Sequence, residues 1–221
     1  MRMTPPRFYW ECRGQKLAYD PAKTYLVYFG GCFSPAHRGH FNQIQDALQY
    51  PNVHVMVHQI GDVRRHGVPY GLSSLVMKTY ARELLGNARA RLTIKRRRSL
   101  AQVLEQVQKL KPDVLVVIRG AEKEKLNIAG AESTVLRRMR PLLTSLPREN
   151  CDCAFVYSER PLVETLSATR FTEALQKTWH KDWASRYARL QPFFPVGLHP
   201  RVAKRLVQRL DRCKLVVQNA H

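Results

Sequence analysis

The 221-residue sequence predicts an α/β fold with a doubly wound parallel sheet, followed by a basic helical C-terminal extension. Two observations support this prediction. Short apolar segments rich in β-branched and aromatic residues alternate with amphipathic segments of about 10 to 15 residues. In addition, the segment Asp113–Ile118 shows no polar–apolar alternation, as expected for a strand that is covered on both faces.

Five strands are predicted from these apolar segments, each bounded by residues that favour turns. The first, Thr24–Phe29, is dominated by aromatic and β-branched side chains, which suit a buried strand. The other four are expected at 53–59, 90–94, 113–118 and 151–157.

Helices are predicted from apolar residues at helical spacing and from capping residues. Ser73 is expected to cap a helix that Gly86 ends, and Ser99 a helix that Pro112 stops. The full set comprises segments 40–48, 73–85, 99–110, 167–179 and 199–213, with one or two further helical segments between residues 130 and 146.

The chain is expected to have three regions: an irregular arm (1–23), a main domain (24–178) and a basic helical extension (179–221). The last helix of the extension has an apolar stripe and an opposite face that carries Arg201, Lys204, Arg205, Arg209 and Arg212. This basic face is either the solvated side of a helix that covers the core or a binding surface for RNA or a partner.

The charge balance is strongly positive. Lys and Arg number 37 against 17 Asp and Glu, which gives a formal net charge of +20. Such an excess favours contact with polyanions: nucleic acid, a ribonucleoprotein or several phosphates.

Several classes of protein are disfavoured. No apolar run approaches the roughly 20 residues of a transmembrane helix, and the first residues lack the apolar core of a secretory signal. Cys151 and Cys153 have a spacing that fits neither a zinc pair nor a redox dithiol, so we expect them to pack. An intracellular location is expected, with the cytoplasm first and an organelle as the alternative.

The segment GGCFSPAHRGH, residues 30–40, connects the first strand to the first helix. A glycine-rich turn here allows a ligand to approach the backbone, and the helix N-terminus favours anions. His37 and His40 can face one pocket, where imidazoles could donate to phosphate oxygens as charge builds during nucleotidyl transfer. No Lys follows the glycines, so this is not a P-loop. The alternatives are a metal site with Cys32, which lacks an evident fourth ligand, or purely structural histidines.

This segment resembles the signature of the H-x-G-H nucleotidyltransferases, commonly written GGxFDPxHxGH, and is most similar to that of the nicotinate/nicotinamide mononucleotide adenylyltransferases. Three further segments resemble family motifs in the family's order: LSSLVMKTYARELL, DVLVVIRGAE and ETLSATRFTEAL. The resemblance covers residues 24–178 and implies a Rossmann-like nucleotidyltransferase domain.

The resemblance also implies roles for particular residues. His37 and His40 would be catalytic, with His40 as the main contact to the transition state. Ser167 and Thr169 begin a helix, where hydroxyls and free N–H groups can hold the outer phosphates of a nucleotide. The nucleotide-binding set is Gly30, Gly31, Cys32, Phe33, Gly39, Gly120, Glu122, Ser167, Ala168, Thr169 and Arg170. The substrate-binding set is Ser34, Arg119, Tyr70 and Tyr80, with Trp10 as another ring that could stack on the substrate.

The sequence departs from the family pattern at several of these positions. Ser34 stands where Asp or Asn is usual, Cys32 replaces Ser or Thr, and Glu122 replaces the commoner Asp. Thr172 stands where many members have a phosphate-binding Arg, for which Arg170 could compensate. An Arg directly before the glycine, here Arg119, is a feature similar to the phosphopantetheine adenylyltransferases. The identity of the acceptor is therefore open.

The resemblance implies transfer of AMP from ATP to a phosphate monoester, with release of pyrophosphate and Mg²⁺ on the nucleotide phosphates. Nicotinamide or nicotinate mononucleotide is the expected acceptor. One alternative is a cytidylyltransferase or a member with another acceptor. The other is a protein of this fold with weak or no catalysis that binds RNA or a ribonucleoprotein, as the net charge of +20 and the departures at Ser34 and Thr172 suggest.

Overall fold

The structure is a computed structural model that describes residues 9–12, 15–17, 19–59, 67–96, 99, 101–120, 152–158 and 166–213. The helical segments expected between residues 130 and 146 lie outside these ranges, as does Glu122. The described residues have the predicted α/β, Rossmann-like fold, with a central sheet and helices between its strands.

The strands, in chain order, are β1 (Tyr9–Cys12), β2 (Gln15–Leu17), β3 (Tyr25–Gly31), β4 (Val53–Gln59), β5 (Leu92–Arg96), β6 (Val114–Gly120) and β7 (Asp152–Ser158). The α-helices are α1 (Arg38–Leu48), α2 (Tyr70–Leu84), α3 (Ala101–Leu110), α4 (Ala168–Lys177), α5 (Trp183–Leu190) and α6 (Pro200–Asp211). Short 3₁₀ helices cover Gly86–Arg91 and Gln191–Phe193.

The order of strands in the described sheet is β2-β1-β7-β6-β3-β4-β5. β6 runs parallel to both β3 and β7, with Tyr25 opposite Val114 and Val116 opposite Ala154. From β3 the chain proceeds outward through β4 to β5, and then returns to form β6 and β7 on the other side. The order therefore reverses between β3 and β6, and ligands of open α/β sheets bind at the carboxyl ends of the strands that flank such a switch point.

The N-terminal arm was expected to be irregular, but it contributes two strands, β1 and β2. β1 pairs antiparallel with both β7 and β2, with Trp10 opposite Val156 and Leu17. The pairing supplies backbone hydrogen bonds to the edge of β7, a long-range gain that the short and irregular local pattern does not reveal.

The bounds of the helices and strands show where local sequence signals predict the structure and where they do not. β4 has the predicted bounds, whereas α2 begins at Tyr70 rather than after Ser73. Pro69 occupies the N-cap position of α2 with a φ of −69°, and Ser73 lies buried inside the helix. The tail also forms a separate helix, α5, that was not predicted; Asp182 caps it by accepting a 3.0 Å hydrogen bond from the Ser185 N–H.

The chain divides into two compact units. The sheet unit comprises Met1–Gly30, Asp46–His58 and Arg91–Arg160; the helical unit comprises Gly31–Gln45, Gln59–Ala90 and Pro161–His221. In the sheet unit, the apolar face of α3 packs through Val103 and Val107 on side chains of three strands. The buried strand residues of this core are Leu26, Tyr28, Met56, Leu115 and Val117.

The core of the helical unit includes an aromatic cluster. The ring of Phe171 stacks on Phe193, with centroids 5.0 Å apart, and meets Phe194 edge-on at 5.6 Å. Beside this cluster the buried Arg186 of α5 donates two hydrogen bonds, of 2.5 and 2.7 Å, to Asp211 of α6. This bidentate pair joins the two helices through its hydrogen bonds. Loss of either partner would leave a charge without its counterion, which is destabilising.

Among the described residues, we find no helix with the length and apolar content that a membrane span requires.

Candidate active site

The histidine loop, residues 30–40, leads directly from β3 into α1, and His37 caps that helix. The carbonyl of His37 accepts hydrogen bonds from the N–H groups of His40 (3.0 Å) and Phe41 (3.2 Å). Its ring Nδ1 accepts a third from the Gly39 N–H at 3.1 Å. The side chain therefore satisfies a backbone donor that the first turn of a helix leaves without an intrahelical partner.

The two imidazole rings, which were expected to face one pocket, lie against each other. Their centroids are 3.8 Å apart and their planes are tilted by 36°. The Nδ1 of His40 accepts a long hydrogen bond, 3.4 Å, from the His37 N–H. Because Nδ1 is an acceptor in both rings, each neutral imidazole carries its proton on Nε2. Nε2 is thus the nitrogen that carries the ring N–H donor in each neutral histidine.

Gly39, between the two histidines, leaves room for the ring of His37. A Cβ at this position would lie 3.1 Å from Cε1 and 3.2 Å from Nδ1 of that ring, closer than ordinary van der Waals contact. The ring cannot move easily, because His37 is only 1% exposed and its other side meets His40. The close approach accounts for glycine at this position of the motif.

The start of α4 lies beside the start of α1 within the helical unit. A Cβ at Gly39 would be 3.9 Å from the Cβ of Leu166, the residue that precedes the N-cap of α4. The N-cap is Ser167, whose Oγ accepts a 3.1 Å hydrogen bond from the Arg170 N–H. Two helix N-termini therefore come together, and the partial positive charge of each favours an anion at this place.

The remaining predicted residues of α4 differ in exposure. Ala168 and Thr169 are half-buried and Arg170 is exposed, so all three are accessible at the first turn. Thr172 is fully buried, and its hydroxyl donates a 2.9 Å hydrogen bond to the Ala168 carbonyl. Thr172 thus stabilises its own helix, and Arg170 is the cation on this turn that could meet an anion.

Phe33 supports the ring of His40. Its own ring meets that of His40 edge-on, with centroids 5.0 Å apart. The backbone of Phe33 has a φ of +47°, which is unusual for a side chain of this size. The buried hydroxyl of Ser73 on α2 donates a hydrogen bond to the Phe33 carbonyl and so holds this turn. Ser73 was expected to cap a helix, because the local pattern gives no sign of this long-range contact.

Ser34 is buried and stabilises the histidine loop from inside. The side chain is 1% exposed, and its hydroxyl donates a 3.0 Å hydrogen bond to the carbonyl of Val68. This arrangement does not support the substrate contact expected of Ser34. The hydroxyl of Ser34 supplies the donor that this carbonyl needs, which an ionised carboxylate at the same position could not do.

The glycines at the end of β3 make room for nearby aromatic rings. A Cβ at Gly30 would come within 2.6 Å of the Tyr28 hydroxyl, and one at Gly31 within 3.2 Å of the Phe33 ring. The thiol of Cys32 is half-buried. No group of three His, Cys, Asp or Glu that could hold a metal ion occurs among the described residues, so the alternative of a protein-held metal has no support there.

The tyrosines expected at the substrate side are placed differently from each other. Tyr80 is fully buried, which raises the pKa of its hydroxyl, and this hydroxyl donates a 3.3 Å hydrogen bond to the Ala36 carbonyl. That position does not support stacking of Tyr80 on a substrate. Tyr70, the first residue of α2, is half-buried and remains a candidate.

Three other residues named from the sequence belong to the sheet unit. Arg119 and Gly120 end β6 in the sheet unit, and Trp10 lies in β1. Sequence reasoning also missed Arg38, whose Nε is buried with no hydrogen-bond partner among the described residues. Its position between the histidines was the only available signal.

Comparisons with known proteins agree with this fold. No protein-family model matches the sequence, and no curated protein sequence matches it. Among solved structures, the chain is similar to Plasmodium falciparum nicotinic acid mononucleotide adenylyltransferase complexed with NaAD. The identity is 10%, the TM-score 0.53, and the match covers 88% of this chain and 100% of that one.

A second structure of the Plasmodium falciparum enzyme, complexed with APC, matches at 11% identity and a TM-score of 0.50, over 89% of this chain and 100% of that one. At these identities the likeness concerns the arrangement of strands and helices. The chain therefore has the α/β fold of the nicotinic acid mononucleotide adenylyltransferases, as its histidine motif led us to expect.

Proposed function

We propose that this protein is a nucleotidyltransferase that transfers AMP from ATP to a phosphate monoester, with nicotinamide or nicotinate mononucleotide as the preferred acceptor. The observation that carries the proposal is the stacked pair of His37 and His40, with both Nδ1 atoms occupied by backbone N–H groups. The fold shared with the adenylyltransferases supports it.

In the proposed reaction, a phosphate oxygen of the acceptor forms a bond to the α-phosphorus of ATP. The bond from that phosphorus to the oxygen bridging to the β-phosphate breaks, and pyrophosphate leaves with the electron pair. At the transition state, negative charge is spread over the oxygens around the α-phosphorus and develops on the departing oxygen. Nε2–H of His40, the less buried of the pair, would donate to one of these oxygens, and His37 would donate to the same phosphates.

The outer phosphates would lie at the start of α4. The hydroxyls of Ser167 and Thr169, the free N–H groups of the first turn and the exposed side chain of Arg170 provide donors and positive charge there. Mg²⁺ would arrive with ATP on its phosphates, since this ion typically binds through substrate phosphates and water, and it would neutralise part of their charge.

The test is pyrophosphate release by the full chain with MgATP or MgCTP and a panel of acceptors: both pyridine mononucleotides, phosphopantetheine and an alcohol phosphate. We expect turnover with ATP and a pyridine mononucleotide, reduced by about 10²-fold or more in His40→Ala. His199→Ala is the matched control, because His199 is an exposed histidine that caps α6.

Two results would overturn the proposal. The first is an absence of pyrophosphate release with every pair, from protein that melts cooperatively. The second is an equal loss of activity in His40→Ala and His199→Ala. Turnover with CTP or with another acceptor alone would instead identify the alternative transferase considered above.

A further inference from the structure

The exposed face of α6 is a continuous stripe of cations. Its members lie at spacings of three and four residues along the 12-residue helix, with Arg212 directly after it, and so fall on one side. All are exposed: Arg201, Lys204, Arg205, Arg209 and Arg212. The stripe extends over about 17 Å, since each helical residue rises about 1.5 Å.

Acidic side chains nearby do not neutralise this stripe. Between residues 166 and 213 the acidic residues are Glu173, Asp182 and Asp211. Glu173 lies 4.0 Å from Lys177, Asp182 caps α5, and Asp211 forms the bidentate pair with Arg186. In the part of the chain that the structure describes, the five cations of the stripe therefore have no ion-pair partner.

The opposite face of α6 argues against a membrane as the partner. Its apolar residues are Val202, Ala203, Leu206, Val207 and Leu210, and none of them is more than 6% exposed. A basic amphipathic helix that binds a lipid surface inserts its apolar face into the interface. Here that face already belongs to the core of the helical unit, so the helix offers its charge without an apolar anchor.

Two tryptophans of the helical unit precede α6 in the chain. The ammonium group of Lys204 lies over the half-buried ring of Trp183, 5.9 Å from its centroid. Trp179 is 61% exposed, and the exposed His180 and Lys181 follow it. Bases of a single strand stack readily on exposed aromatic rings of this kind. An acidic protein surface is the alternative partner for the cations, and stacking of a base on Trp179 distinguishes the two.

We propose that the stripe on α6, together with Trp179, binds single-stranded nucleic acid. Arginines and Lys204 would contact successive phosphates, and Trp179 would stack on a base. The proposal is independent of the adenylyl-transfer reaction, because none of these residues belongs to the histidine loop or to the start of α4.

The test measures fluorescence anisotropy of a labelled oligouridylate of about 12 nucleotides with the full chain, between about 50 and 200 mM salt. In R201Q/R205Q/R209Q we expect affinity at the lower salt to fall about tenfold or more, and the slope of log affinity against log salt to shrink by about 2. The matched control K78Q/R89Q/K109Q removes the same charge at exposed positions outside the stripe and should bind as wild type does.

Trp179→Ala tests the stacking contact. We expect a loss of affinity of about fivefold or more with an unchanged salt slope, since stacking contributes independently of counterion release. Oligothymidylate of equal length should bind comparably, and a duplex should bind more weakly because its bases are not available to stack.

The proposal fails if the control triple variant loses as much affinity as the stripe variant, because net charge alone would then explain binding. It also fails if a duplex binds as well as a single strand and Trp179→Ala has no effect. Binding of polyglutamate at the stripe, with none of oligouridylate, would show that the surface serves an acidic protein instead. Melting temperatures of all variants distinguish these outcomes from misfolding.

Discussion

Two helices in this protein begin with the same arrangement, a histidine whose Nδ1 accepts the backbone N–H two residues further on. His37 does so at α1, with a distance of 3.1 Å, and His199 does so at α6, with 3.2 Å. In both cases the ring satisfies a donor that the first turn leaves unpaired. The local chemistry of the two caps is therefore the same.

Their surroundings differ. His37 is 1% exposed and its ring lies on that of His40, whereas His199 is exposed and the residue three positions later is the apolar Val202. The residue two positions after the capping histidine is Gly39 in α1 but Arg201 in α6. The comparison shows that a histidine cap alone does not indicate a site. What distinguishes α1 is that its capping ring is buried and lies against a second imidazole.

The largest expected effect is at Gly39. In Gly39→Ala the new methyl would lie 3.1 Å from the His37 ring, which is buried and must shift. We expect kcat/KM for pyrophosphate release to fall about 10- to 100-fold, because small displacements of catalytic groups are costly. The free energy of unfolding should change by no more than about 1 kcal/mol, since alanine favours the helix.

Arg201→Ala, the equivalent change at the other cap, should leave the transfer activity at the wild-type level. If Gly39→Ala is as active as wild type, the close packing of the His37 ring has no catalytic consequence, and the contrast between the two caps is lost.

An intermediate effect is expected at His199. His199→Ala removes the acceptor at the start of α6 and should lower the free energy of unfolding by about 1 kcal/mol, as loss of a cap usually does. His199→Asn keeps an acceptor and should recover most of this stability. Urea denaturation measures both variants; equal stability of His199→Ala and wild type would show that the cap is dispensable.

The smallest effect concerns a third histidine, His54 on β4, which belongs to neither cap. Burial, and then the charge of Arg91, lower its pKa below the usual value. The unfolded chain therefore binds the proton more readily than the folded chain. The stability that this histidine contributes is present above about pH 6.5 and is lost as the pH falls from there through the folded-state pKa.

His54→Gln should accordingly flatten the decline of stability between about pH 6.5 and 5, as measured by thermal melts across that range. An identical slope in His54→Gln and wild type would mean that other groups cause the pH dependence.

Much of the fold could be predicted because its signals are local. β4 follows the predicted bounds, since a short segment rich in β-branched residues between turn residues favours a strand. The start of α2 was misplaced because both Pro69 and Ser73 are acceptable near a helix start, and only the contact of Ser73 with Phe33 excludes it as a cap. The hairpin of β1 and β2 depends on pairing with β7, which lies more than a hundred residues later.

The candidate site shows the same division. Spacing alone placed His37 and His40 together, because residues three apart at the start of a helix share a face. Tyr80 and Ser34 were expected to contact the substrate because of their positions in the motifs. Both side chains are buried, which does not support that expectation. Burial depends on the whole core and not on the local motif.

By itself, the sequence determined the alternation of strands and helices, the histidine motif and the positive charge, because composition and short-range spacing encode these properties. Only the tertiary structure decided which histidine cap is buried and which hydroxyl holds the loop. These features arise from contacts between residues far apart in the chain. Such contacts form and stabilise the protein only when the core is formed.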